Sequence, residues 1–577
     1  MKRDSQRLIE LIRVARGEKP AELLLRNCRL VNVLTGKVEE ADLAVSNGLF
    51  VGRGPYDARR VLDLEGKYVC PGFIDGHIHI ESTLLSPSRF CAAVVPWGTS
   101  AVVADPHEIA NVLGLKGIRY FLDATEALPL DVYLNLPSCV PATHLETSGA
   151  QLRAADLYSL LPHPRLLGLA EMMNFPGVLT GLPEVVDKLI LFQDRVMDGH
   201  CPRLGGRDLN AYLATGIGSD HECTDLEEAR EKLAGGMTVM IREGSQSKDL
   251  AALLPLVDEF TWPHCMLVSD DRHPDDLCRD GHMNFSVNRA MELGMDPVRA
   301  ITLATWTPAR YFGLQRRGAV APGYLADFSV SPTLNPWRPE LVFKGGVEAA
   351  RDGKLTIAEG LWASTVTPPP APMRISRIEE QDLAVPVRPG RLRVIGAREG
   401  TLLTEEILIA PRVVDGKVVA DPDRDVLKLV VFNRYVPDRS PSVAFVRGFG
   451  LKKGALAATV AHDAHNVIAA GIGDEDIVHV VSAVREAGGG MAVGRAGEPV
   501  DLLPLPVAGL MSDQPLEHVV HRLDSMKHRA RQWGCSMDNP FMALSFLALP
   551  VIPALKLTDL GLVDVNAFSF LPLFKGN

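Results

Sequence analysis

Cysteine is sparse in this 577-residue chain, and its positions follow no pattern. The nine cysteines include no CxxC pair, and their number is odd. This distribution excludes a disulfide framework and a cysteine-rich zinc site, and it is typical of proteins from a reducing compartment.

Long apolar runs are also missing. The most apolar stretch, residues 541–557, is interrupted by Ser545, Pro550 and Pro553, so it is too short and too broken to span a bilayer. Residues 1–18 carry charge throughout, which excludes a secretory signal peptide. We therefore expect a cytoplasmic protein with no membrane partner.

Positive charge is in deficit. The chain has 60 Lys and Arg against 71 Asp and Glu, a formal net charge of −11, and a pI near 5.8. No run of basic residues interleaved with aromatics occurs, which argues against a nucleic-acid partner. The 46% of hydrophobic and 23% of charged residues are typical of a globular protein and exclude a disordered or fibrous chain.

Short apolar runs of β type alternate with segments of helical character between residues 70 and 315. Such alternation predicts βα units and a parallel sheet. Eight of these units fit a (β/α)8 TIM barrel, an α/β fold whose chemistry lies at the C-terminal ends of the strands. The eight predicted strands are 69–75, 99–105, 131–137, 165–171, 195–201, 214–220, 237–243 and 264–270.

The sequence patterns before and after the predicted barrel are different. An amphipathic helix is predicted within residues 1–18, and β-rich runs divided by Gly turns fill 22–69 and return after 316. We expect these two β stretches to form one small unit beside the barrel. The Pro-rich segment 365–375 reads as a linker before a further unit. The predicted limits are 1–69, 70–315, 316–364 and 376–577.

The strongest local signal is the motif PGFIDGHIH at residues 71–79. His77 and His79 are two residues apart on a predicted strand, so their side chains point the same way and can reach one metal ion. An HxH pair also occurs by chance, as two polar residues at a strand end.

Four further metal-capable side chains lie at or just after other predicted strands: Glu171, His200, His221 and Asp270. Each alone has a structural alternative, such as a salt bridge, a buried histidine, a helix start or a helix N-cap. Only a barrel mouth would gather them around the HxH pair. Six ligands exceed the roughly three of a catalytic zinc and suit a two-metal site. Asp270 could bind one ion and also take a proton from the attacking water.

The order of these predicted ligands along the strands resembles that of the amidohydrolase superfamily. The chain resembles most closely the bacterial adenine deaminase family of that superfamily. The resemblance covers nearly the whole chain. In the barrel it rests on PGFIDGHIHIES (71–82), ADPHEIANV (104–112), AEMMNFPGV (170–178), DGHCP (198–202), SDHE (219–222) and SDDRHP (269–274). In the C-terminal unit it rests on GALAATVAHDAHN (454–466), LPLPVAGLMS (503–512) and NPFMALSFLALPVIPALKLTD (539–559).

The resemblance implies a distorted barrel, a flanking β-sandwich and an additional C-terminal α+β domain. It also implies two divalent transition-metal ions, Mn²⁺ or Fe²⁺ before Zn²⁺. His77, His79 and Asp270 would hold one ion and His200 and His221 the other, with Glu171 as the bridge. Many relatives bridge with a carboxylated lysine; here the nearest downstream lysine, Lys188, lies well past the strand end. The glutamate therefore counts against the hydantoinase-like branch.

The implied reaction converts adenine and water to hypoxanthine and ammonia, through attack of a metal-bridged hydroxide at C6 of the purine. Asp270 would shuttle the proton, and Glu222 would protonate or hold a ring nitrogen. The resemblance further implies a homodimer or a larger homo-oligomer. Another aminopurine, a cyclic amide as substrate, or an inactive scaffold remain as alternatives.

Further residues are weaker candidates. We expect Glu81, His107, Asp271 and Arg272 to contact the substrate. The pair His107-Glu108, after the second strand, could line the pocket or bind an extra metal. A helix start at His107 and a charged surface turn at 271–273 are equally compatible with the sequence. The segment His462–Asn466 either reaches the active site or a subunit contact, or forms a buried hydrogen-bonded turn.

Overall fold

Eight parallel strands form a barrel at the centre of the molecule. The computed structural model describes residues 5–362, 366–375 and 378–576. Strands one to five pair in chain order, and strands six to eight pair in chain order. The barrel strands are Phe73–Ile78, Thr99–Ala104, Asp131–Leu136, Leu166–Met172, Val196–Gly199, Ser219–Asp220, Thr238–Arg242 and Cys265–Val268.

Two seams close the barrel with few hydrogen bonds. At the first seam, the Asp270 N–H donates to the His77 carbonyl (2.9 Å) and the His79 N–H donates to the Asp270 carbonyl (3.3 Å). At the second, the Gly218 N–H donates to the Met197 carbonyl (2.9 Å). Because neither seam carries a continuous ladder, the barrel is distorted, and the predicted fold class is confirmed.

The limits of two predicted strands were wrong. The first predicted run, 69–75, belongs to two strands, because the chain turns at Gly72 from a β unit into the barrel. A Cβ on Gly72 would lie 2.5 Å from Ser100 atoms, so only glycine fits this close approach. The sixth strand is two residues long, because the chain first has to reverse through Gly216, which has a φ of +92°.

Helices connect the barrel strands and cover the barrel. They are Pro87–Val94, His107–Leu113, Leu115–Ala124, Ala154–Tyr158, Phe175–Leu179, Pro183–Phe192, Gly206–Leu213, Leu226–Ala234, Leu250–Leu253, Pro274–Asp280, Met283–Glu292, Pro297–Leu303 and Trp306–Tyr311. Short 3₁₀ turns are found at Ile80–Thr83, Val95–Trp97, Leu254–Leu256 and Trp262–His264.

Chain segments from both sides of the barrel form one nine-stranded sheet. In spatial order its strands are Lys354–Leu355, Val347–Arg351, Leu341–Lys344, Phe328–Ser331, Tyr68–Pro71, Ala21–Asn32, Lys37–Ser46 and Leu49–Arg53, with Ala58–Asp63 pairing beside Ala21–Asn32. The helix Ser5–Ala15 buries Val14 against this sheet. A 3₁₀ turn follows at Glu359–Leu361. The predicted domain limits at 364 and 376 lie outside the described residues and stay predictions.

A second nine-stranded sheet forms the core of the C-terminal unit. Its order is Glu405–Ile409, Arg391–Gly396, Ser442–Arg447, Val426–Phe432, Val467–Gly471, Ala455–Ala458, Gly490–Gly494 and Asp501–Pro504, with Phe574–Lys575 beside Arg391–Gly396. The helices are Asp474–Glu486, Leu516–Gln532 and Pro540–Ser545, with 3₁₀ turns at Glu380–Leu383, Pro422–Arg424 and Phe546–Ala548. Two small sheets comprise Val385–Pro386, Arg412–Val414 and Lys417–Val419, and Leu555–Thr558, Gly561–Asp564 and Ser569–Phe570. None of the helices in the described ranges has the length and apolar character that a bilayer crossing requires.

A buried ion pair fixes the end of the sixth barrel strand. Lys232, from the helix that follows, donates to the Asp220 carboxylate at 3.0 Å, and both side chains are fully buried. The second Asp220 oxygen accepts the Cys201 N–H at 2.8 Å. Because Asp220 precedes His221 and Cys201 follows His200, one carboxylate fixes the chain beside two predicted ligands.

Replacing Lys232 by methionine is expected to lower the free energy of unfolding by about 3–5 kcal/mol, because Asp220 would keep a buried charge without its counter-ion. The check is the thermal midpoint and the urea midpoint of the variant. As a matched control, Lys19→Met removes a surface pair in which Nζ lies 3.4 Å from Glu10, and its effect is expected to be about 0–1 kcal/mol. Equal effects of the two substitutions would contradict the prediction.

Candidate metal centre

The six predicted ligands meet at the C-terminal mouth of the barrel. Strand one supplies one histidine, and the residue just after it is a second histidine. Strand four supplies a glutamate, and the residues that follow strands five, six and eight supply two histidines and an aspartate. All are buried except His200, which is partly exposed. Parallel strands place their C-terminal ends at one rim, which explains why residues so far apart in sequence converge. The six are His77, His79, Glu171, His200, His221 and Asp270.

Glu171 lies between two pairs of imidazoles. Its Oε1 is 3.2 Å from His79 Nε2 and 4.0 Å from His77 Nε2. Its Oε2 is 2.6 Å from His200 Nδ1 and 3.2 Å from His221 Nε2. Each carboxylate oxygen therefore faces a different pair of nitrogen donors, which is the arrangement a bridging ligand needs.

Asp270 faces the pair from strand one. Its Oδ1 lies 3.1 Å from His79 Nε2 and 3.4 Å from His77 Nε2. The residue has a left-handed φ of +57°, a conformation that aspartate adopts more readily than most residues. This turn directs the carboxylate across the mouth at the point where strand eight meets strand one.

The two carboxyl groups are held as anions. Burial alone would raise the pKa of Glu171, but the imidazoles of His221 and His200 outweigh it and hold that pKa well below its usual range. For Asp270, burial is likewise outweighed by the neighbouring imidazoles of His77 and His79 and by Arg242, and its pKa is also well below the usual range. The barrel mouth therefore concentrates negative charge among nitrogen donors.

The donor set fits divalent metal ions. The His79 Nδ1–H donates to the Asp105 carbonyl at 3.2 Å, which leaves the Nε2 lone pair for a metal, as in most metal-binding histidines. Among the described residues, His77 Nε2 is buried without a hydrogen-bond partner. Imidazole and carboxylate together suit zinc, iron and manganese. Groups of possible metal ligands at this mouth include His77, His79 and Asp270; His77, Glu171 and His221; His200, His221 and Glu222; and His79, Asp105, His107 and Glu171.

Glu222 lies at the edge of the ligand set, where Arg242 joins it to Asp270. The Glu222 Oε1 is 3.5 Å from His221 Nε2 and 3.7 Å from His200 Nδ1. The buried Arg242 guanidinium contacts the Glu222 carboxylate and also lies 3.2 Å from Asp270 Oδ2. The sequence analysis missed Arg242, although it ends the seventh strand just as the predicted ligands end theirs.

Three of the residues predicted to contact the substrate make hydrogen bonds to other residues of the protein. Glu81 Oε1 accepts the Ile109 N–H at 3.0 Å, and burial raises the pKa of Glu81 to about 7. Asp271 accepts a hydrogen bond from the Ser82 hydroxyl. The Arg272 guanidinium donates to the Gly281 carbonyl at 3.3 Å and lies over the Phe285 ring, engaged by these groups rather than by the six ligands. The assignment of these three residues to the substrate stays a prediction.

Comparison with known proteins identifies the family. Residues 68–349 match the amidohydrolase family, and residues 401–569 match the adenine deaminase C-terminal domain. An adenine deaminase of Syntrophobacter fumaroxidans is 66% identical over 575 residues, which cover the whole of both chains. One from Desulfatibacillum aliphaticivorans is 46% identical and covers 98% of this chain and 99% of its own.

The chain belongs to the adenine deaminase family. Among solved structures, it is similar to an adenine deaminase at 16% identity and a TM-score of 0.44, over 57% of this chain and 99% of that one. Membership of the amidohydrolase family implies divalent metal binding, in agreement with the donors at the barrel mouth. The identity of the metal stays a prediction.

His107 lies beside the six predicted metal ligands and contacts further carboxylates. Its Nδ1 lies 2.9 Å from Asp105 Oδ2 and 3.6 Å from Glu171 Oε1. Its Nε2 lies 3.5 Å from Glu108 Oε1. The His107 ring is therefore held between two carboxylates, one at each nitrogen, beside the predicted bridging residue.

Glu108 continues this chain of contacts into the C-terminal unit. His462 Nδ1 lies 2.6 Å from Glu108 Oε1, and His465 Nε2 contacts Glu108 Oε2. All three side chains are buried; we refer to Glu108, His462 and His465 as the interdomain cluster. The sequence singled out the segment His462–Asn466 and, separately, the pair His107-Glu108, but it did not indicate that the two lie together.

Divalent metal ions are expected to stabilise the folded protein. The buried carboxylates and imidazoles of the folded state can bind the ion, whereas the unfolded chain does not hold these groups together. Adding Mn²⁺ to chelator-treated protein at about 100 times its dissociation constant should raise the free energy of unfolding by about 2.7 kcal/mol. The measurement is a thermal-unfolding series. Ca²⁺ is the control, since it prefers all-oxygen ligand sets. An unchanged midpoint with Mn²⁺, Fe²⁺ and Zn²⁺ would contradict the metal centre.

Proposed function

We propose that this chain is an adenine deaminase, which converts adenine and water to hypoxanthine and ammonia. The observation that carries this proposal is the 66% identity to an adenine deaminase across the whole chain. The arrangement of the six metal-capable side chains around one barrel mouth supports it. The reaction would serve purine salvage in the cytoplasm, where the nine free cysteines are expected to stay reduced.

We further propose that the residues hold two divalent ions. His77, His79 and Asp270 would hold one, His200 and His221 the other, and Glu171 would belong to both. Such ions, when bound, supply Lewis acidity and lower the pKa of water toward neutrality. Mn²⁺ and Fe²⁺ are our preferred ions, with Zn²⁺ as an alternative, because mixed imidazole and carboxylate ligands accept all three.

Asp270 is the proposed proton carrier. Its Oδ1 faces the nitrogen donors of strand one, while its Oδ2 is held by Arg242. Fixed in this way, the carboxylate is placed to take a proton from water and to deliver it to the departing 6-amino group. Glu222, which contacts the same Nη1 of Arg242 as Asp270 does, would hold a ring nitrogen of the purine.

The purine is proposed to approach from a cleft between the barrel mouth and the C-terminal unit. The lining of this cleft includes Ser82, His273, Val460, His462 and Phe541. Its mixed apolar and polar lining suits a flat heterocycle with polar edges. A homodimer or larger homo-oligomer, and the domain limits predicted from the sequence, are part of this proposal.

Asp270→Asn and His77→Ala are expected to abolish turnover of adenine while the protein stays folded. Loss of a proton carrier alone costs about 10²–10⁴-fold in rate. The measurements are ammonia release and the thermal midpoint. Asp194→Asn is the matched control, because Asp194 is exposed and lies just before strand five, at the other end of the barrel. Wild-type turnover by either of the first two variants would refute the assignment.

Ammonia release from adenine by protein loaded with Mn²⁺, Fe²⁺ or Zn²⁺ tests the function itself. Hypoxanthine formed by a metal-loaded sample, and not by the metal-free protein, is the expected result. Opening of a cyclic amide, or deamination of another aminopurine without turnover of adenine, would instead assign the chain to a different amidohydrolase activity.

A further inference from the structure

The interdomain cluster connects the C-terminal unit to the edge of the metal centre. Both oxygens of the Glu108 carboxylate are engaged from the C-terminal side, one by each histidine. The same Oε1 faces His107 Nε2 at 3.5 Å, and His107 Nδ1 is 3.6 Å from the predicted bridge Glu171. A continuous series of contacts thus runs from residue 465 to the barrel mouth.

A hydrogen bond to the backbone determines the tautomer of His465. The Ala461 N–H donates to His465 Nδ1 at 3.2 Å. A neutral imidazole whose Nδ1 accepts must carry its hydrogen on Nε2, and burial lowers the pKa of His465 to about 4, so the ring is neutral. Nε2–H therefore donates to Glu108 and has no lone pair for a metal. His79 shows the opposite arrangement, with Nδ1–H donating and Nε2 free.

The histidines are held rigidly by their own surroundings. The His462 ring stacks on Phe546, with ring centres 4.3 Å apart. The next polar residue, Asn466, donates from Nδ2 to the barrel carbonyl of Thr147 at 2.8 Å. Tyr435 donates to the Ala464 carbonyl at 2.5 Å. The turn 461–466 is therefore a fixed support, pressed against the barrel, rather than a loose loop.

We propose that His462 and His465 are positioning residues, through which the C-terminal unit holds Glu108 and thereby fixes the His107 ring beside Glu171. Without these two donors, Glu108 would be a buried carboxylate free to turn toward His107 or away from it. This inference rests on the proposed function, because His107 matters only if the barrel mouth turns over a substrate.

Two substitutions at one position separate this role from a purely structural one. In His465→Gln the side-chain amide N–H can reach the place of Nε2 and donate to Glu108, but the bond from Ala461 is lost. In His465→Asn the shorter side chain can still accept from Ala461, but it does not reach Glu108. A positioning role predicts that Gln retains activity and Asn does not, and a purely structural role predicts the reverse order.

The experiment uses Mn²⁺-loaded full-length protein and measures kcat and KM for adenine, bound metal per chain and the thermal midpoint. We expect His465→Asn to lower kcat/KM by about 10–100-fold with bound metal unchanged, and His465→Gln to retain most of the activity. His521→Gln is the control, because His521 is exposed on the helix Leu516–Gln532. Combining His465→Asn with Glu108→Gln should cost no more than Glu108→Gln alone, since both act through one carboxylate.

Several results would overturn the inference. The first two are full activity of the His465→Asn variant and a higher activity of His465→Asn than of His465→Gln. The others are additive losses of activity in the double variant and a third bound metal equivalent that is lost in His465→Asn. If the wild-type protein does not deaminate adenine, the proposed function fails, and the inference is then judged from crystal structures of the variants. The inference is supported if the His107 ring is displaced by about 1 Å or more in the His465→Asn variant and not in the His465→Gln variant, since shifts of this size are catalytically large. A ring that does not move in His465→Asn refutes the inference.

Discussion

The structure depends on a carboxylate, Glu171, that is buried among the imidazoles of five histidines. An isolated charge in this position would be strongly unfavourable, so the surroundings must supply positive charge or hydrogen-bond donors. The imidazoles of strands one, five and six meet this requirement from two sides of the carboxylate. Divalent ions would meet it more fully. The carboxylates of Glu171 and Asp270 are thus surrounded by imidazoles, and the buried guanidinium of Arg242 also contacts Asp270.

The tautomers of two histidines separate two kinds of site in one contiguous polar region. His79 gives its Nδ1–H to a backbone carbonyl and keeps Nε2 free, as a metal ligand does. His465 accepts a backbone N–H at Nδ1 and so presents a donor at Nε2. Both histidines are buried beside carboxylates, but their backbone hydrogen bonds select different tautomers. Nε2 is therefore an acceptor in His79 and a donor in His465. The C-terminal unit is therefore a structural support of the barrel mouth and not a separate appendage.

Local patterns in the sequence predicted much of the barrel, and they singled out the six side chains that meet at its mouth. Strands one to eight were found because apolar runs ending in polar residues recur, and the side-chain alternation of a strand places both histidines of HxH on one face. Arg242 ends a strand in the same way but was missed, because arginine is not a metal ligand. The Arg272 guanidinium contacts the Gly281 carbonyl and the Phe285 ring, and its expected contact with the substrate stays a prediction. The limits of the first and sixth barrel strands differ from the predicted ones, because the chain changes direction at Gly72 and at Gly216.

The sequence by itself determined which side chains could bind metal and which family the chain resembles, since both depend on residue types at fixed spacings along one chain. Only the tertiary structure decided what those side chains face. The contact between Glu108 and His462 spans 354 positions of the sequence, and no local pattern encodes a partner so distant. The same holds for Arg242 between Asp270 and Glu222. Partners of this kind are set when strand ends and neighbouring units pack together, because burial then obliges each charged or polar group to find a counterpart.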